Sequence, residues 1–94
     1  MSVEAEMSVV GCMILDLECA KQAVDGLTSE MFYNVKTKRI FSTAQELYWE
    51  NRPVDVVTLA DKLPDDKAEI VRLAEFVPST ANFPQYVRIV REDW

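Results

Sequence analysis

The sequence predicts an all-α protein, a compact bundle of about six helices. Three observations carry that expectation. Glycine occurs twice and proline four times in 94 residues, too few for the turns of a β-sandwich. Apolar residues return every three or four positions along most of the chain, which is the spacing of a helix face rather than a strand. Helix-capping residues, among them Ser2, Asp55 and Asn82, stand just ahead of those stretches. A chain this short forms a single domain around one modest core.

Ser2 is placed to N-cap the first helix, and Glu4 and Glu6 complement its positive end. Val3, Met7, Val10 and Ile14 share one face, while Ala5, Val9, Cys12, Met13 and Leu15 fall on the others. A helix apolar nearly all round is either central to the bundle or covered by a partner. Gly11 allows another helix to come close. A break at Asp16 or Leu17 leads to a short second helix through Val24, with Gly26 at the expected left-handed stop. Thr28 or Ser29 caps one turn that ends at Phe32 and Tyr33.

The next helix runs from about Lys36 to Glu50, with Ile40, Phe41, Ala44, Leu47 and Tyr48 as its apolar stripe. Trp49 lies across the helical wheel from Ile40, beside Glu46 and Glu50. Asn51, Arg52 and Pro53 end this helix. Val54 is extended, and Asp55 caps a short helix from Val56 to Leu63 that stops at Pro64. Another helix begins near Asp65 or Asp66 and carries Ile70, Leu73, Ala74 and Phe76. After a loop over Val77–Ala81, Asn82 caps the last helix, with Pro84 in its first turn. Phe83, Val87, Val90 and Trp94 share its stripe, with Tyr86 alongside. No glycine, asparagine or proline stops this helix, so the expectation is a fragment cut inside a longer protein.

Charge and inventory exclude several functions. The formal net charge is −6, which disfavours phosphate backbones, and Lys36, Lys38 and Arg39 form the only basic cluster. Histidine is absent, which removes the usual general base and the Ser-His and Cys-His pairs. Neither GxxxxGK[ST] nor GxGxxG occurs. The acidic pairs Asp65–Asp66 and Glu92–Asp93 read as solvated caps or surface charge. Cys12 and Cys19 supply too few soft ligands for zinc; they read as two free, buried thiols, with a disulfide between them as the alternative. No apolar run approaches the roughly 18 residues of a membrane span, and the first residues lack the pattern of a secretory signal. The expected place is the cytoplasm. By itself the chain reads as a binding or assembly module with no catalytic, cofactor-binding or metal-binding residues.

Four phrases follow one another in a particular order: EAE at 4–6, FYNVKTKRIF at 32–41, PVDVVTLADKL at 53–63 and VPSTANFPQYVRIVRE at 77–92. In order and spacing they resemble the N-terminal domain of DnaB-like replicative DNA helicases, from about Val3 to Glu92. Thr37 stands where that family usually has histidine, followed by Lys38 rather than arginine. The segment between Leu63 and Ile70 is shorter and lacks a glycine often found there.

The resemblance implies a DnaB N-terminal-domain-like bundle. In it Phe32, Ile40, Phe41, Asp55, Leu59, Asn82 and Tyr86 are core anchors and caps. Such heads self-associate, as a dimer or a hexamer collar above a ring of six ATPase domains, support hexamer assembly and help to receive primase and loader proteins. A helical hairpin, which carries much of the dimer pairing and primase contact, and the motor follow the head and would lie beyond Trp94. ATP and magnesium belong to that motor, and DNA is reached only through the full ring. Trp49 and Met13, both off the core stripes, are the expected contact points for a partner, unless both are packed under neighbouring loops. A rival reading is a stand-alone adaptor, of phage or mobile-element origin, that binds primase or helicase. A third is a small nucleic-acid-binding domain, which the net charge disfavours.

Overall fold

The computed structural model describes residues 1–94, and all of its regular structure is helical. Ser2 is extended, and its hydroxyl accepts the Ala5 amide at 3.1 Å, opening α1 (Val3–Leu15). Every residue of α1 from Ala5 through Met13 is buried. The helix packs against α2 (Leu17–Gly26), α3 (Val35–Trp49), α5 (Lys67–Phe76) and α6 (Phe83–Asp93). The all-round apolar pattern therefore marks a central helix. Gly11 is where α1 meets α5: a Cβ there would stand 2.6 Å from the Leu73 carbonyl oxygen.

Asp16 separates α1 from α2, and its carboxylate accepts the Glu18 amide at 2.9 Å. Gly26 departs from expectation. It belongs to α2 and does not adopt a positive φ. The helix stops because Leu27 turns extended and buries its side chain in the core. A single 3-10 turn, Ser29–Met31, then delivers Phe32, whose ring stacks on Phe41 at 4.4 Å between centroids.

Asn34 caps α3, with Oδ1 accepting from the Thr37 amide and hydroxyl at 3.0 Å each. Ile40, Phe41, Ala44 and Leu47 are wholly buried, and Tyr48 is partly so. Asn51 ends the helix in the left-handed region at φ 58. The Arg52 amide returns to the Leu47 carbonyl and the Asn51 amide to that of Tyr48, satisfying two end carbonyls of the helix. Asn51 thus provides the left-handed stop that the sequence suggested for Gly26.

A reciprocal box opens α4 (Val56–Lys62). The Asp55 carboxylate accepts the Thr58 amide at 2.9 Å, and the Thr58 hydroxyl accepts the Asp55 amide at 3.1 Å. Leu59, the anchor of this helix, is completely buried. A 3-10 turn over Pro64–Asp66 leads into α5, which places Ile70 and Leu73 in the core. Phe76, expected on that stripe, is 37% exposed, and the extended Val77 fills the core instead.

Asn82 precedes α6 but its side chain makes no capping bond. Its backbone, at φ −101 and ψ 15, lacks the extended geometry that swings a cap side chain over the first amides. The Asn82 carbonyl instead accepts the Gln85 and Tyr86 amides. Phe83 and Val90 are buried, Val87 and Tyr86 partly so. Trp94 lies past the end of α6 and is 63% exposed, so it does not continue that stripe.

Candidate functional site

Several of the charged side chains are engaged in ion pairs within the fold. Arg39 reaches across from α3 to Asp66, with Nε 2.7 Å from Oδ2 and Nη2 2.9 Å from Oδ1. This bidentate bond, helped by the Lys36 charge, holds the Asp66 carboxyl below the usual carboxylate range. Asp66 is buried, so half of the Asp65–Asp66 pair is an internal ion-pair partner rather than a solvated cap. The same bond removes Arg39 from the short basic cluster. Glu92 leans towards Arg88 at 3.5 Å, and Asp93 lies 3.7 Å from the terminal amine of Met1.

Cys12 and Cys19 are free and buried. Burial, reinforced by the nearby Cys19 and Asp16, pushes the Cys12 thiol up to about 11, and burial likewise raises Cys19. A thiol held protonated is a weak nucleophile and a poor metal ligand at neutral pH. No group of His, Cys, Asp and Glu residues comes together as a metal-holding cluster. No helix is long and apolar enough to cross a membrane.

Attention therefore falls on the surface near Trp49. Because α3 turns Ile40, Phe41 and Leu47 inward, Trp49 is turned outward and is 66% exposed. Lys62 of α4 lies 3.6 Å from both Glu46 and Glu50, and Arg52 lies 3.4 Å from Glu50. The acids flanking the indole are thus partly neutralised. Beside this region a groove of about 620 Å³ runs between the start of α2 and the α3–α4 connection. Leu17, Tyr48, Pro53 and Val54 supply its apolar wall, and Lys21 and Arg52 are among its polar residues.

Met13 is different. It is 1% exposed, deep in the core, and cannot be a surface contact point. The central position of α1 leaves none of its middle turns free, including those off the Val3–Ile14 stripe.

Sequence reasoning missed the further role of Glu6, which it read only as complementing the positive end of the first helix. Glu6 is buried, and one carboxylate oxygen accepts the Tyr33 and Asn34 amides at 3.0 Å each. The available signal was an acid flanked by Ala5 and Met7 inside a helix apolar on every side.

Comparison with known proteins gives the arrangement its place. Residues 1–92 match the family model of the DnaB-like helicase N-terminal domain. The replicative DNA helicase DnaB of Rhodothermus marinus is 32% identical over 99 aligned positions, covering 97% of this chain and 10% of that protein. DnaB of Geobacillus stearothermophilus is also 32% identical, covering 97% of this chain and 22% of its own length. The chain therefore spans only a small part of these relatives. The crystal structure of the N-terminal domain of DnaB helicase from Mycobacterium tuberculosis superimposes with a TM-score of 0.90 at 27% identity, covering 99% of this chain and 70% of that one. The family match over residues 1–92 and the close superposition on that crystal structure agree, and the chain belongs to the DnaB-like helicase N-terminal domain family.

Proposed function

We propose that this chain acts as the non-catalytic head of a replicative DNA helicase. It supports assembly of the hexamer collar and offers a docking surface to primase and to a helicase loader. ATP hydrolysis, with its magnesium, belongs to a motor domain of the parent protein, and DNA engages the assembled ring. The observation that carries this reading is the family match over residues 1–92. A head of this kind biases how subunits are arranged. Weak contacts repeated around a ring are strengthened by avidity without any one of them being tight.

Trp49 is the residue assigned to partner contact. A tryptophan left 66% exposed on a rigid helix is well suited to anchor an interface, where tryptophan is enriched among energetically dominant positions. The test is Trp49→Ala, compared with the unaltered chain for binding to primase and for mass across a concentration series by light scattering. The expected result is primase binding weakened by roughly thirtyfold, the loss of an anchor worth about 2 kcal/mol, with an unchanged thermal midpoint. Unaltered binding and association would remove Trp49 from the interface. A reading frame that fails to continue into a P-loop ATPase domain would favour the adaptor reading instead.

A further inference from the structure

The groove between the start of α2 and the α3–α4 connection measures about 620 Å³, inside the roughly 300–1,000 Å³ of small binding sites. Much of its wall is fixed by the fold. Val54 is buried, and Tyr48 packs against the core. The Asn51 and Arg52 amides return to α3 carbonyls, and the Thr58 hydroxyl donates to the Pro53 carbonyl at 2.8 Å. A surface held in this way gives up little conformational freedom when it is filled. From α2 comes Leu17, an apolar side chain left 66% exposed.

The charge of the groove runs against that of the chain. The whole carries a formal −6, yet Lys21 and Arg52 line the groove against a single acid, Glu18. That acid already accepts from Gln22 Nε2 at 3.2 Å. Each cation has only a solvent-exposed partner: Lys21 lies 3.2 Å from Asp25, and Arg52 lies 3.4 Å from Glu50. Such exposed pairs contribute little, so either cation can exchange its partner for an incoming carboxylate at small cost. At about 0.15 M salt the Debye length is about 8 Å, short against a body 31 Å long. A ligand seated in the groove therefore feels these two cations more than the distant acids.

We propose that this groove docks a short acidic and apolar segment of a partner protein: a leucine-sized side chain enters beside Leu17, Tyr48 and Pro53, and flanking carboxylates pair with Lys21 and Arg52. The inference deepens the docking reading above and rests on it for its setting, and it adds the chemistry of the partner. A basic segment would meet two like charges here, and a purely apolar one would leave both cations with their weak exposed partners. The planar fork of Arg52 suits a carboxylate in particular.

The experiment is an NMR titration of the full chain with the blocked peptide acetyl-Asp-Glu-Leu-Leu-Glu-Asp-amide. Two further peptides replace its leucines by alanine or its acids by lysine. Saturable shifts are expected at the amides of Leu17, Lys21, Tyr48 and Arg52, with affinity about tenfold weaker for either altered peptide. Lys21→Gln and Arg52→Gln combined in one chain should also weaken binding about tenfold, as the loss of two modest ion pairs. Arg72→Gln, outside the groove, should leave it unchanged. No saturable shift in the groove by about 5 mM peptide overturns the proposal. So does equal binding of the alanine or lysine peptide, or a loss with Arg72→Gln as large as with the groove pair. Groove shifts that grow with protein concentration before peptide is added overturn it in favour of a second copy as occupant. Primase is absent from this titration, so its outcome is independent of whether Trp49→Ala weakens primase binding.

Discussion

A methyl group on Gly11 would stand 2.6 Å from the Leu73 carbonyl oxygen, a distance that real side chains do not tolerate. The obstructing atom is backbone, held within α5, so it cannot rotate aside as a side-chain tip would. Gly26 is the natural control, with nothing within 4 Å and no positive φ. In each helix alanine gains about 1 kcal/mol of intrinsic propensity over glycine. At position 26 that gain stands alone. At position 11 it is outweighed by overpacking, which typically costs about 1–3 kcal/mol and here must displace one helix from another. Denaturant midpoints should therefore move in opposite directions: Gly26→Ala upward, Gly11→Ala downward. A Gly11→Ala chain more stable than the parent would show that the α1–α5 contact is looser than the structure has it.

Between elements, the Arg39–Asp66 bond ties α3 to the turn ahead of α5. Arg39 and the charge of Lys36 depress the Asp66 carboxyl in the folded chain. Its contribution to stability is therefore complete above the ordinary aspartate value of about 3.9, and it is lost as pH falls through the lower folded value. Arg39→Gln should lower stability at pH 7, and the gap from the parent should close as unfolding is measured further below pH 4. A gap that is constant down to pH 2 would mean that Arg39 acts through packing alone. This pair also marks the limit of what the sequence discloses. Periodicity and caps within four residues were readable, so the six helices, the Asp55 cap, the buried Ile40, Phe41 and Leu59 and the outward Trp49 could all be anticipated, though not the Thr58 hydroxyl that completes the box. Arg39 finds Asp66 and Glu6 finds Tyr33 only once the chain has folded, and spacing along the sequence encodes neither. Local signals also compete: Gly26 and Asn51 both suit a left-handed stop, and the burial of Leu27 decides that only Asn51 adopts one. Met13 misled for a similar reason, since an all-apolar helix has no outward face to read.

For the whole molecule, charge sets how copies meet. The chain carries a formal −6 and no histidine, so side chains with ordinary pKa values leave that charge nearly constant across the neutral range. Two copies repel one another at low salt, and ionic strength rather than neutral pH is the variable that changes the repulsion. The body measures 31 × 26 × 23 Å, so at about 0.1 M salt, where the Debye length is about 10 Å, much of one copy's charge is already screened from the far side of the next. Near about 1 M the length falls to about 3 Å, and little but direct contact remains. The acids beside Trp49 are already paired with Lys62 and Arg52, so an interface built on the indole gives up few ion pairs to salt. Self-association of the head should therefore tighten as sodium chloride rises from about 0.1 to about 1 M and stay level from about pH 6.5 to about 8. Sedimentation equilibrium reads both dependences directly. Association that weakens with salt would point to an interface made of ion pairs between copies and would move it away from Trp49. Tightening that survives Trp49→Ala undiminished would keep the apolar character of the contact and assign it to a different face of the bundle.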